Sequence, residues 1–132
     1  MPLTSEQALD LSGRFRELST ALGVFRSSHW NELSPPQRQS IESSEWSLLN
    51  ASSDMITTAV GLALDETEVS FQRLQDSADR AKGALQSLAK IQAVIDIATA
   101  AVGLAGAIIS RDPGAIAKCV AAVYTTVKEP ET

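Results

Sequence analysis

The sequence predicts an all-α fold: an antiparallel bundle of four helices, with a long third helix and an Ala/Gly-rich C-terminal helical hairpin. Three observations carry that expectation. Apolar residues recur at alternating spacings of three and four, the period of one helix face. Ala and Ser are abundant, β-branched runs are short, and aromatics are only 5% of the 132 residues, so the core has to be built from Leu, Ile, Val and Ala. Helix start signals fall at four places, and Gly and Pro sit mostly where helices would begin or end.

The first helix is expected over 5–27. Thr4 and Gln7 form a capping box, in which each side chain satisfies an orphan amide of the other, with Leu3 and Ala8 as a weak staple. Ala8, Leu11, Phe15, Leu18, Leu22 and Phe25 then make a heptad stripe of the coiled-coil kind, and Asp10 supports Arg14 at i,i+4 on the outer face. Residues 28–33 read as a loop containing Trp30. Ser34 as N-cap, Pro35 at the first helical position and Gln37 two residues later open a second helix, expected over 35–64. That helix has two adjacent apolar stripes. One is Ile41, Leu48, Met55, Ala59 and Leu62; the other is Trp46, Leu49, Ile56, Val60 and Ala63. Two stripes imply more than one neighbour, so this helix is expected to be central.

A third capping box at Asp65-Glu66-Thr67-Glu68, stapled by Leu64 and Val69, opens a helix expected over 66–110. No Pro interrupts it, and at 1.5 Å per residue it would be roughly 67 Å long. Its stripe is Leu74, Ala78, Ala81, Leu85, Leu88, Ile91, Ile95, Ala98, Val102, Ala105 and Ile109. A break near Gly83 or a bend near Gly103 and Gly106 would fit, because Gly costs about 1 kcal/mol in a helix interior. Asp112-Pro113-Gly114 starts the last helix, expected over 113–128, with Ile116, Val120, Val123 and Val127 facing inward. The acidic end, 129–132, is expected to fray. With no internal repeat or low-complexity linker, residues 1–132 read as a single helical-bundle domain.

Charge excludes several function classes. The net charge is −5 and both halves are acidic: 4 basic and 7 acidic residues in 1–64, 7 and 9 in 65–132. No Lys/Arg cluster is present to neutralise a phosphate backbone or to hold anionic lipid heads, so nucleic acid is not an expected partner. Cys119 is the single cysteine, which rules out an intrachain disulfide and suits a reducing compartment. Residues 1–6 lack a basic start followed by an apolar run, so a cytoplasmic location is expected, with leaderless secretion left open.

Chemistry-bearing constellations are sparse. Glu42 with Glu45, and Asp76 with Asp79, are carboxylate pairs one helical turn apart, as in an acidic Mg²⁺ site. If the chain reverses at Asp65, the pairs would lie roughly 15 Å apart, and Arg80 and Lys82 are placed to neutralise the second. A solvated face is the favoured reading. His29 is the single histidine, too few for a di-iron or zinc site, so neither metal nor cofactor is expected. Cys119, on the apolar side of its helix, reads as a buried, inert thiol. No phosphate loop, nucleophile elbow or dinucleotide fingerprint occurs, and the chain is not expected to be an enzyme.

What remains is surface. Trp30, Trp46, Ile108 and Ile109 are the candidate binding residues, Trp because it favours interface hot spots and the Ile pair because it tips the apolar hairpin. For Trp46 the favoured alternative is that it plugs one end of the bundle. The expected activity is non-enzymatic: an accessory, inhibitory or chaperone-like subunit that binds a protein partner or forms a homo-oligomer. The runner-up is a membrane-active, pore-forming-like protein that inserts the hairpin 91–127. Small residues four apart, Gly103 with Ala107 and Ala117 with Ala121, would let two helices approach as membrane helices do. Against insertion, uninterrupted apolar runs are 13 residues or fewer where about 20 are needed. Gln92, Asp96, Thr99, Gly103 and Ser110 also keep a polar stripe along the third helix, as Lys118 and Thr125 do on the fourth.

Overall fold

A computed structural model describes residues 2–62, 69–87 and 90–128. Among these the fold is all-helical, with five packed helices: α1 (Ser5–Ser28), α2 (Pro35–Thr58), α3 (Phe71–Ser87), α4 (Ile91–Ser110) and α5 (Pro113–Lys128). A short 3₁₀ turn, Trp30–Glu32, joins α1 to α2.

The first two helices begin where the sequence places them. Thr4 Oγ1 accepts from the Gln7 amide at 3.1 Å and Gln7 Oε1 accepts from the Thr4 amide at 2.9 Å. Ser34 and Gln37 repeat the box at 3.3 and 2.8 Å, with Pro35 and Pro36 in the first turn. The end of α2 comes six residues before the expected Leu64. Gly61 takes a φ of 84°, a left-handed conformation that only Gly adopts cheaply. Its amide donates to the Leu3 carbonyl at 2.8 Å, and the Leu3 amide donates to the Leu62 carbonyl at 2.9 Å. The N-terminal segment therefore pairs with the chain leaving α2. Arg111 then covers the same end: Nη1 donates to the Thr58 and Val60 carbonyls at 3.0 and 2.9 Å, a cation at the negative end of the helix dipole.

The expected 66–110 rod is two helices, α3 and α4, not one. The interruption lies after Ser87; Gly83, Gly103 and Gly106 are all inside helices. Lys90 caps α4 with extended backbone (φ −82°, ψ 119°) and no side-chain hydrogen bond, so no residue type announces the restart. The capping box expected at 65–68, the flanking Leu64, Ala63 and Leu88 all lie outside the described residues. At the start of α3, Ser70 Oγ accepts from the Arg73 amide at 3.1 Å.

Packing differs from the expected order. α1 packs on α2 and α3, while α2 packs chiefly on α1 and α4; α5 lies on α4 and α3. The sequence alone would lay the second helix against the first half of a continuous 66–110 helix; α3 packs on α1 instead. Polar pairs give the directions. Ser12 Oγ donates to the Ser52 carbonyl and Ser19 Oγ to the Glu45 carbonyl, at 2.7 and 2.8 Å, so α1 and α2 are antiparallel. Asp10 meets Gln75, Arg14 meets Asp79 and Glu17 meets Lys82, a constant offset of 65, so α1 and α3 run parallel. A bundle of four antiparallel neighbours does not describe this.

The core holds the α1 stripe, the first α2 stripe, and Leu74, Ala78, Ala81 and Leu85 of α3. On α4 the buried face is shifted. Of the expected stripe Ala98 and Ala105 are buried, but Ile91, Ile95, Val102 and Ile109 are only half-buried, while Val94, Ile97, Ala101, Leu104 and Ile108 are buried beside it. A heptad carried across an unseen break loses its phase. The polar stripe was placed correctly: Gln92, Asp96, Thr99, Gly103 and Ser110 are exposed, with Gly106 beside them.

Candidate interaction surface

The second apolar stripe of α2 faces solvent. Trp46 is 59% exposed, Ile56 38% and Val60 37%, and Leu49 is half-buried between them. Trp46 does not plug the bundle. Its ring flanks a shallow groove of about 160 Å³ that also touches Ser19, Arg26, Glu42, Glu45 and Leu49. Beneath it Arg26 Nε donates to Glu45 Oε2 at 2.6 Å, and both side chains are mostly covered. Gly23 makes room for that pair, since a Cβ there would lie 3.0 Å from Glu45 Oε1. Bonding to Glu45 raises the Arg26 pKa further, against a smaller desolvation cost.

At 3.6 residues per turn, Trp46, Leu49, Ser53 and Ile56 fall within about 80° of arc, and Val60, exposed as well, follows two residues past the end of α2. Between Trp46 and Val60 the sequence has one charged residue, Asp54. Leu9 of α1, also 59% exposed, extends the patch. The Ser12–Ser52 bond sets the register, so Leu9, one turn before Ser12, lies level with Met55 and Ile56, one turn after Ser52.

The other candidate residues are placed differently. Trp30 is 46% exposed on the 3₁₀ turn, with the Arg38 guanidinium 4.1 Å from its ring centroid and donating to its carbonyl at 2.6 Å. It is thus held at the start of α2. Ile108 is fully buried in the core and presents nothing to a partner in this conformation; Ile109 is half-buried. The residues separate the two stripes of α2 and mark Trp46 as a candidate contact without saying which stripe is covered, and Leu9 falls outside the α1 stripe. That off-stripe position was the available signal.

The carboxylate pairs serve structure. Asp76 accepts from the Tyr124 hydroxyl of α5 and from Arg80 Nε, at 2.8 Å for the latter. Asp79 pairs with Arg14 at 2.5 Å rather than with Lys82, whose Nζ reaches Glu17 at 2.6 Å. Among the described residues no group of three His, Cys, Asp or Glu is arranged to hold a metal ion. The Tyr124 bond first, and Arg80 second, hold the Asp76 carboxyl below its usual pKa; burial and that same bond push the Tyr124 phenol up. Arg14 does the same for Asp10, against some desolvation. Both carboxyls are depressed on folding, so their contribution is present above about pH 4 and is lost as pH falls through the lowered folded values. Tyr124→Phe is expected to raise the Asp76 pKa, read by carboxyl-carbon NMR titration. An unchanged Asp76 would show that the phenol does not hold it down.

One further concavity, about 440 Å³, opens where α1 and α3 end, over Val24, Phe25, His29 and Leu85. His29 stacks on Phe25 (centroids 4.1 Å apart), and its Nδ1 lies 3.0 Å from the Phe25 carbonyl. A carbonyl can only accept, so Nδ1 carries the proton in that bond. Glu17, the carboxylate in that lining, is paired with Lys82. Cys119 is far along α5, half-buried against Gly103 of α4, and does not line this cavity. No family model, curated protein or solved structure matches the chain.

Proposed function

We propose that this chain is a non-enzymatic protein-interaction module that binds through the outer face of α2. One observation carries the reading: an apolar stripe with an exposed Trp at one end runs along a stretch of an otherwise acidic protein that has one charged residue between Trp46 and Val60. Interface cores are depleted in charge and enriched in Trp, and hot spots cluster on such anchors. The outer faces of α1 and α3 contrast with it, because they are laced with ion pairs that keep water close. An accessory or inhibitory subunit works by such a surface, with no reacting group of its own.

The test is Trp46→Glu. Trp46 is mostly exposed, so the variant is expected to keep the parental circular dichroism and melting curve while losing stable association. A variant that associates as the parent does would overturn the reading.

A second reading rests on α4, which is 20 residues long with a mean hydropathy of 2.0, enough by length and composition to cross a membrane. It ranks second because 44% of that window is already buried within the fold, and insertion would strip Asp96 and its polar stripe of water. Leakage from dye-loaded liposomes on adding the intact protein would favour this reading over the first.

A further inference from the structure

We infer that the occupant of the α2 face is a second copy of this chain, its α2 lying antiparallel to the first with the two-fold axis near Ser53. The inference rests on the interaction reading above and names its partner.

Charge comes first. Two copies of a chain with net charge −5 repel unless they meet where neither brings charge. From Trp46 to Val60 the one charged residue is Asp54, which is turned about 100° from Ser53 and falls at the rim of the stripe; Glu42 and the Arg26–Glu45 pair stand at its Trp46 end.

Register comes second. The stripe sits at offsets of −7, −4, 0, +3 and +7 from Ser53, and reversing the helix maps it almost onto itself. Trp46 of one copy then falls level with Val60 of the other, a large side chain beside a small one. Leu49 falls level with Ile56 and Thr57. The small Ser53 at the crossing lets the helix axes approach to about 8 Å. A parallel pair would instead set Trp46 against Trp46, and would align the two helix dipoles unfavourably.

Area comes third. Trp46, Ile56, Val60 and Leu9 together expose on the order of 400 Å² of apolar surface, the size of the largest and often functional patch on a monomer. A standard interface buries about 800 Å² per partner, a little over half of it non-polar. The patch supplies the apolar share of one such interface.

Sedimentation of the full chain over a wide concentration range, combined with disulfide trapping in a Cys119→Ser background, tests this. Ser53→Cys is expected to form a cross-linked dimer on mild oxidation, because the two positions meet at the axis. Val60→Cys is expected not to, its two copies lying past opposite ends of the paired helices. Trp46→Glu is expected to raise the dimer dissociation constant about tenfold or more. A chain that stays monomeric throughout, or a dimer indifferent to Trp46→Glu, overturns the inference. Cross-linking through Val60→Cys overturns the antiparallel arrangement. A strict monomer that still captures another protein in a Trp46-dependent way overturns the inference and leaves the interaction reading standing.

Discussion

Leu18→Asp and Leu85→Asp are each expected to unfold the protein or to cost it several kcal/mol. Both side chains are buried, Leu18 at the middle of α1 and Leu85 near the end of α3. A carboxylate at either buried position would be desolvated, among the costliest of substitutions. Domains of this size have about 5–15 kcal/mol in total. Leu18→Ala separates charge from volume: it should cost about 2–5 kcal/mol and leave a folded, less stable chain. Thermal melts followed by circular dichroism read all three. An Asp variant melting within a few degrees of the parent would mean that these positions are not packed as described.

Phe15→Ala is expected to be the most damaging of the large-to-small changes, at about 3–5 kcal/mol. Phe15 is fully buried at the centre of α1, the helix that packs on both α2 and α3, so its loss leaves a cavity that neither neighbour can fill without moving away from the other. In a urea titration the midpoint should fall while the slope stays the same, since the surface exposed on unfolding hardly changes. Trp46→Ala is the internal contrast. It removes a larger side chain but a mostly solvated one, and its effect on monomer stability should stay near 0.5 kcal/mol. If Trp46→Ala destabilised as Phe15→Ala does, α2 would not present its second stripe to solvent.

Helix class, the N-termini of α1, α2 and α5, and the inward faces of α1 and α3 were legible in the residues. The capping boxes at Thr4 and Ser34, the Asp112-Pro113 start and the heptad of α1 act over a turn or two, so neighbouring residues decide them. The polar stripe on α4 was legible for the same reason. Gly61 is a local stop signal whose effect depends on Leu3 coming to pair with it.

Three features came only with the tertiary structure. The break between α3 and α4 has no cap in its residue types; it follows from packing α3 on α1 and α4 on α2, which a straight rod cannot do. The phase of the α4 core followed from that break, and it carried Ile108 inward, away from any partner. The exposure of Trp46, Ile56 and Val60 could not be read from periodicity. An apolar stripe states that a face prefers to be dry, but which face a neighbour covers depends on where α1 and α4 come to lie, and they lie against the other stripe of α2. Hydrophobic burial is non-directional, so the sequence of α2 specifies two faces of similar kind, and only the arrangement of its neighbours decides which of them is core and which remains open.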